Sequence, residues 1–251
     1  MNNYDIVSDL YDVYVKFDFD IGFFTDRYSG FGGTVLELMV GTGRLSIPLL
    51  RNGVSLDCVD LSGGLLDRLQ RKLTDNNLDA QLLKRDIRTL DLARTYDAVI
   101  IACNSFAEIV LREDRKKVLR SVNGLLRENG ELIITLHNPA VRRKSIDRRV
   151  THVDTFRAED KTVAFSVASI EDSDAVVHLN QFYEVYDGNG CMVEKKMITL
   201  DFALIGRDAI EQELLCEGFE IKELYGNYDK SEHDDAGSPY LIIVAVKKTG
   251  I

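Results

Sequence analysis

Between Thr34 and Leu136 the chain alternates short apolar runs with stretches whose apolar residues recur every three or four positions. The runs Thr34–Leu38, Ser55–Val59, Ala80–Leu83, Tyr96–Ala102 and Glu131–Leu136 predict five strands. Tyr96–Ala102 is apolar nearly throughout, as a strand covered on both faces should be. Between the runs, three sets of residues at helical spacing predict amphipathic helices: Leu45, Leu49 and Leu50; Leu65, Leu66, Leu69 and Leu73; and Val118, Leu119, Val122, Leu125 and Leu126. Pro48 stands near the start of the first, where a missing N–H costs least, and Gly53 ends it. Ser62 is placed to cap the second, Asn76-Asn77 to break it, and Asn129-Gly130 to end the third.

Beyond Pro139 the period changes. Val150–Phe156, Thr162–Ile170, Val176–Tyr186 and Met192–Phe202 are rich in β-branched and aromatic residues, and Gly188-Asn189-Gly190 reads as a hairpin turn. Helical character returns over Arg207–Cys216 and stops at Gly218. Phe219–Tyr225 and Tyr240–Val246 then predict two closing strands. The strand–helix alternation implies a parallel sheet with helices on both faces, interrupted by an antiparallel β block. A ligand of such a sheet binds outside the carboxyl ends of its strands, where the strand order reverses.

Charge narrows the partners. The 251 residues carry a formal net charge of −10, which disfavours a polyanionic nucleic acid. The basic stretch Arg142-Arg143-Lys144 with Arg148-Arg149 is read as a solvated loop, with a basic rim to the cleft as the alternative. The four cysteines and four histidines are scattered, without metal-ligand spacing, so no metal is expected. Met1–Val15 carries Asp5, Asp9 and Asp12 and lacks the basic flank and apolar run of a secretion signal. No apolar run reaches membrane-spanning length. The expectation is a soluble cytoplasmic protein with a small-molecule substrate and no membrane partner, its oligomeric state left open.

The chemistry concentrates at Val35-Leu36-Glu37-Leu38-Met39-Val40-Gly41-Thr42-Gly43-Arg44. Glycines at the tip of the first strand let a ligand approach the backbone, and the following helix offers free N–H groups. Asp60 ends the second strand, nineteen residues after Gly41, where a carboxylate can accept from both hydroxyls of a ribose or, alternatively, cap the next helix. Asp86 ends the third, in Arg85-Asp86-Ile87-Arg88; it suits an adenine edge, with Ile87 on the ring, or else a surface turn. A nicotinamide dinucleotide would bring a doubly negative pyrophosphate to this turn. S-adenosylmethionine brings an ammonium and a sulfonium instead. Glu37, Asp60 and Asp86 around one pocket repel the first and attract the second, by on the order of several kcal/mol at intermediate dielectric. The third glycine of the dinucleotide fingerprint is also absent, Ser46 standing there.

The segments VLELMVGTGRLSIPLL, CVDLSGGLLDRL, KRDIRTLDL, YDAVIIACNSF and LLRENGELIITLHNP resemble class I S-adenosylmethionine-dependent methyltransferases. The resemblance covers Tyr11 to about Pro139 and Arg207–Lys248. It is strongest to the small-molecule branch with a β insertion after strand five, such as glycine and amino-sugar N-methyltransferases. It implies a Rossmann-like doubly wound seven-stranded sheet with an antiparallel β lid. Residues 1–140 and 206–251 would form the α/β domain that binds S-adenosylmethionine, and residues 141–205 the insertion over the substrate cleft. It also implies that Glu37, Gly41 and Gly43, with Thr42 and Arg44 in the same turn, cradle the methionine end. Asp60 would hold the ribose, and Leu61, Asp86 and Ile87 the adenine. Cys103 and Asn104 would lie near the methyl group, and Tyr11 would close over the methyl donor. In one departure, Met39 stands where the family has the first glycine of the turn.

The Asp/Asn-Pro-Pro-aromatic signature of nucleobase amino methyltransferases is absent at Ala102-Cys103-Asn104-Ser105-Phe106. His137 is a candidate general base, or a histidine capping a strand end. Tyr14, Tyr183 and Tyr186 are candidate walls of the acceptor pocket. The expected reaction is transfer of a methyl group to an amine or hydroxyl of a small molecule. Methylation of protein or RNA, and a non-catalytic S-adenosylmethionine-binding module, are the alternatives. Contacts to the methyl donor are expected from strand ends before Ser105, independent of the β block, and contacts to the acceptor from that block.

Overall fold

The computed structural model describes residues 3–158 and 160–248. A 3-10 turn at Tyr4–Val7 and two short helices, α1 (Tyr11–Tyr14) and α2 (Ile21–Arg27), precede the first strand. Then follow β1 (Thr34–Leu38), α3 (Ser46–Arg51), β2 (Ser55–Asp60), α4 (Gly63–Asp75), β3 (Gln81–Lys84), β4 (Tyr96–Ile101), α5 (Arg112–Leu125) and β5 (Leu126–His137). A turn of helix, α6 (Pro139–Arg142), leads into β6 (Thr151–Ala158), β7 (Lys161–Glu171), β8 (Val176–Tyr186) and β9 (Met192–Ala203). The chain closes with α7 (Arg207–Cys216), β10 (Phe219–Tyr225) and β11 (Tyr240–Lys247).

The main sheet has seven strands in the order β10-β11-β5-β4-β1-β2-β3. Strands β1 to β5 are parallel to one another; β11 pairs antiparallel with β5, and β10 antiparallel with β11. From β1 the chain winds outward to β2 and β3, then returns past β1 to β4 and β5. The order therefore reverses between β1 and β4, where the carboxyl ends of both strands open a crevice.

Alternation along the strands divides the core. Leu36 and Leu38 of β1, with Val99, Ile101, Leu132 and Ile134, pack beneath α5 and α7. Val35, Cys58, Ala98, Ile100 and Ile133 point to the other face and pack with Phe24, Leu49, Leu66 and Leu69 of α2, α3 and α4. Burying each Val, Leu, Ile or Phe among these is worth about 1.5–3 kcal/mol, which is why runs apolar on both faces sit at the centre of the sheet. Ser62 caps α4 by accepting from the Leu65 N–H at 3.1 Å, and Asn77, at φ +52°, ends it.

One boundary differs from expectation. Helix α5 ends at Leu125, not at Asn129-Gly130. Leu126 is buried opposite Tyr96 and already belongs to β5, and the ladder shifts register before Ala98 meets Glu131. Asn129, at φ +60°, turns the chain within that irregularity.

Strands β6 to β9 form a separate antiparallel sheet in simple up-and-down order. Val163, Phe165, Tyr183, Val185, Ile198 and Leu200 line its inner face and pack with Val7 and Leu10 of the N-terminal segment. Val177 and Phe202, at its other end, join the core beneath α5.

Candidate functional site

The turn after β1 is held in the left-handed region at three places: Met39 at φ +59°, Gly41 at +59° and Gly43 at +80°. A β-carbon on Gly43 would stand 2.2 Å from Leu69 Cδ1, so only glycine lets α4 pack this closely. Met39 occupies a backbone conformation that costs a side-chain-bearing residue on the order of 1–2 kcal/mol. Cys103 and Asn104, at φ +58° and +62°, turn sharply at the end of β4. The two strained strand ends face each other across the switch point, and such backbone strain gathers at ligand sites.

Asp60 is buried at the end of β2. Its Oδ2 accepts from the Gly41 N–H and its Oδ1 from the Ser62 N–H, each at 2.8 Å. Each oxygen keeps a second acceptor position. Thr42 donates to Asp12 at 2.5 Å, and Lys72 Nζ binds Asp12 at 2.7 Å and the Thr42 carbonyl at 3.1 Å. Arg44 forks onto fully buried Asp20 at 2.5 and 2.6 Å and lies over the Phe17 ring, 4.3 Å from its centroid. Asp5 accepts from Ser62 Oγ and, at 2.9 Å, from the Gly64 N–H. These acidic residues tie the N-terminal segment across the turn.

Two cavities open there. The larger, about 410 Å³, is lined at its floor by Glu37, Met39, Thr42, Arg44, Cys103 and Asn104. The smaller, about 60 Å³, lies among Gly41, Asp60, Leu61, Arg85 and Ile87. Both are bordered by Tyr4, Tyr11, Met39, Ser105 and Glu108, so these residues stand between them. The Tyr11 hydroxyl would lie 3.3 Å from a β-carbon on Gly41, which places it directly over the turn.

Electrostatics distinguish the carboxylates. Glu37 is 4% exposed and accepts from Ser46 Oγ at 2.6 Å. Burial pushes its pKa up to about 7 against the opposing influence of Ser46 and Arg44. Burial also raises Asp60, opposed by its backbone N–H donors. Both groups would be relieved by a cation or a hydroxyl donor. Burial raises the Cys103 thiol to about 11 although the residue is open to the cavity, so it is a neutral wall there. His137 lines the larger cavity and is driven down to about 4 by burial and by the Arg142 charge; at neutral pH it carries no charge. Asn104 Oδ1 accepts from the His137 N–H at 2.9 Å, joining the ends of β4 and β5.

Three sequence candidates are placed elsewhere. Asp86 borders neither cavity: its carboxylate caps a 3-10 turn through the Arg88 N–H and is gripped by the Arg88 guanidinium at 2.6 Å, which holds its pKa low. The surface-turn alternative describes it, and of that segment Arg85 and Ile87 reach the smaller cavity. Tyr183 is 1% exposed, donates to Gln181 at 2.8 Å and packs behind Tyr14 and Phe165. It supports Tyr14, which does line the larger cavity, but is no wall itself. Tyr186 has the opposite parity on β8 and bonds Glu184, away from the cleft.

The β sheet contributes Leu179, Gln181, Leu200 and Phe202 to the larger cavity, none of them singled out by the sequence. Tyr228 and Tyr240, from the β10–β11 connection and the start of β11, were also missed. Their only signal is aromatic content near a chain end. Tyr4 was missed too; it donates to Glu108 at 2.9 Å in the partition between the cavities. The N-terminal segment that carries Tyr4 and Tyr11 rests on the β block through Tyr14, stacked 4.6 Å from Phe165, and through an Asp9–Lys196 bridge of 2.7 Å. The smaller cavity is therefore not independent of the block, contrary to expectation. Among the described residues no group of three or more His, Cys, Asp or Glu side chains is placed to hold a metal ion, and no helix is long and apolar enough to cross a membrane.

Residues 35–130 match the model of a methyltransferase domain. The chain is 25% identical over 238 residues to the glycine/sarcosine/dimethylglycine N-methyltransferase of Actinopolyspora halophila, covering 93% of this chain and 40% of that protein. It spans less than two thirds of the length of the first curated relatives it matches. An S-adenosylmethionine-dependent methyltransferase from Clostridium acetobutylicum ATCC 824 aligns over 97% of both chains with a TM-score of 0.80 at 18% identity. The sugar N-methyltransferase KedS8 from Streptoalloteichus sp ATCC 53650 aligns over 96% of this chain and 92% of its own, with a TM-score of 0.78 at 22% identity. At these identities the structural likeness shows a shared fold.

Proposed function

We propose that this chain, which carries a methyltransferase domain in a fold shared with S-adenosylmethionine-dependent methyltransferases, transfers a methyl group from S-adenosylmethionine to an amine or hydroxyl of a small molecule. The observation that carries this reading is the pair of adjoining cavities at the switch point, one floored by buried Glu37 and the other by buried Asp60. A desolvated carboxylate whose pKa is raised fits an ammonium, and a carboxylate with free acceptor positions at a strand end fits a ribose diol. Neither suits a pyrophosphate. Asp60 would hold the ribose, Leu61 and Ile87 would flank the adenine, and Glu37 with the Gly41–Gly43 backbone would hold the methionine end. Met39 borders both cavities without closing either, which supports an active site over a degenerate binder.

S-adenosylmethionine supplies an activated methyl group on a sulfonium, whose thioether leaves without needing a proton. The protein's part is then alignment, exclusion of water and a neutral nucleophile. Tyr4, Tyr11 and Tyr14 roof the crevice from the N-terminal side, and Leu179, Leu200 and Phe202 wall it from the β sheet. Neutral His137 adds an uncharged hydrogen-bonding wall to that cavity, and its lowered pKa argues against its serving as the general base.

A small acceptor is supported by the basic stretch after β5, where Arg143 is bridged to Glu171 at 2.8 Å and Arg149 to Asp147 at 2.9 Å. These pairs offset the charge that a basic rim for a macromolecule would need. Calorimetry with S-adenosylmethionine, S-adenosylhomocysteine and NADH tests the cofactor, and a radiolabelled-methyl assay against small amines and alcohols tests transfer. Binding of the first two with no NADH binding is expected. NADH binding alone would overturn the reading.

A further inference from the structure

Among the described residues three buried side-chain polar atoms lack a hydrogen-bond partner: Thr135 Oγ1, His137 Nδ1 and Arg142 Nε. All three residues line the larger cavity. Thr135 has the Tyr228 hydroxyl nearby without a bond of ordinary geometry. Arg142 is the exceptional one. Arg44, the other arginine lining this cavity, is neutralised by Asp20, whereas Arg142 forms no ion pair with any described carboxylate. Its Nη1 donates to the neutral hydroxyl of Ser145 at 2.7 Å, and its guanidinium carbon lies 5.3 Å from the centroid of the Phe202 ring. Those contacts fix one end of the planar group. They leave the edge formed by Nε and Nη2, whose two parallel N–H bonds match the two oxygens of a carboxylate.

A partly buried cation without a counter-ion is expensive, and burial alone pushes the Arg142 pKa down. The same charge helps to keep His137 neutral. The charge is therefore felt inside the cavity, and no described carboxylate forms an ion pair with it.

We propose that Arg142 is an anion subsite of the acceptor pocket, so that the methyl acceptor is a small molecule bearing an oxyanion, with a carboxylate the best fit to the Nε–Nη2 edge. The inference rests on the methyl-transfer reading above and names the acceptor's charge. An acceptor so held replaces the missing counter-ion and satisfies Arg142 Nε. The remainder of the molecule then lies among Leu179, Gln181, His137 and Tyr240, a wall with apolar surface and neutral hydrogen-bonding groups.

The test compares matched acids and amides: glycine with glycinamide, 4-aminobutyrate with its amide, and 4-aminobenzoate with its amide. O-phosphoethanolamine against ethanolamine is a separate arm for phosphate. Each is titrated calorimetrically into wild type and Arg142→Met, with and without S-adenosylhomocysteine. At least one acid is expected to bind tenfold or more tightly than its amide. Arg142→Met is expected to remove that preference while S-adenosylhomocysteine affinity stays unchanged and the circular dichroism melt does not fall. A preference for O-phosphoethanolamine with none for the carboxylates retains the subsite and replaces the carboxylate. No preference for any anion over its neutral partner in folded wild type overturns the proposal, without recourse to the variant. A preference that survives Arg142→Met also overturns it. If S-adenosylhomocysteine fails to bind while the acid preference persists, the methyl-transfer reading fails and the anion subsite stands.

Discussion

Asp60 Oδ2 accepts the Gly41 backbone N–H at 2.8 Å, so the carboxylate that ends β2 holds the turn that ends β1. A residue assigned to ligand binding is thereby also a brace for the ligand's other contacts. Asp60→Ala is expected to weaken S-adenosylmethionine binding by about 1.5–3 kcal/mol, the range for losing charge-assisted hydrogen bonds. The fold should persist because both bonds are local to strand ends. Calorimetry on the folded variant checks this, and unchanged affinity would refute the ribose role.

Glu37 gives a proton-linkage prediction. Its pKa is raised from 4.5 to about 7 by burial, so the native protein retains a proton that the unfolded chain releases. Native stability is therefore penalised as pH rises above 4.5, and the penalty is complete above about 7. Its size is roughly 3 kcal/mol from about 1.4 kcal/mol per pKa unit. Glu37→Gln should melt higher than wild type at pH 8 and converge with it near pH 4.5. If an ammonium sits beside Glu37, binding of S-adenosylmethionine near pH 6 should release a proton. That is measurable as a dependence of the calorimetric enthalpy on buffer ionisation heat. A binding enthalpy independent of buffer would show that no cation meets this carboxylate.

His137 titrates in the opposite sense. Burial first, and then the Arg142 charge, lower its pKa from 6.5 to about 4. The unfolded chain takes up a proton below 6.5 that the native state refuses, so stability is retained above 6.5 and lost as pH falls toward 4. Replacing Arg142 by Met should raise the His137 pKa toward its ordinary value, as followed by NMR of the imidazole C–H signals. An unmoved titration would mean that the two groups do not share the cavity.

The roof of the site should depend on the β sheet. Phe165 is 4% exposed and stacks on Tyr14 at 4.6 Å, with Tyr183 behind it at 5.0 Å. Phe165→Ala is expected to cost about 3–5 kcal/mol of stability, as is usual for such truncations. It should also weaken S-adenosylmethionine binding, because the segment carrying Tyr4 and Tyr11 loses its support. Binding unaffected in a folded Phe165→Ala protein would restore the independence of the two parts that the sequence pattern suggested.

The sequence by itself determined the strands and helices of the main sheet, the antiparallel block and the residues of the turn. These are local or short-period properties. An apolar run, a 3.6-residue stripe or a glycine at a strand end carries its meaning within about ten residues. That is why Glu37, Gly41, Asp60 and Ile87, which border the two adjoining cavities, could be grouped from the sequence, whereas Gly43 borders neither and packs against Leu69. The strand–helix alternation implies that the parallel strands share a carboxyl edge, and a right-handed crossover brings consecutive ends together. The three-dimensional structure decided what depends on which partner each side chain actually meets. Asp86 and Asp60 look alike as strand-end carboxylates, yet Arg88 claims the first and leaves the second to face a cavity. Tyr183 shares a strand face with Gln181, but Tyr14 and Phe165 cover it, so only Gln181 reaches the acceptor space. Arg142 lies in a basic run that reads as solvated loop. Its neighbours Arg143 and Arg149 do point to surface carboxylates, whereas α6 sets Arg142 against Phe202 and the cavity. Side-chain environment, and with it charge state and role, is fixed by which groups packing brings together in space, as it brings Phe202 to Arg142 and Tyr14 to Tyr183, and no local apolar pattern encodes that.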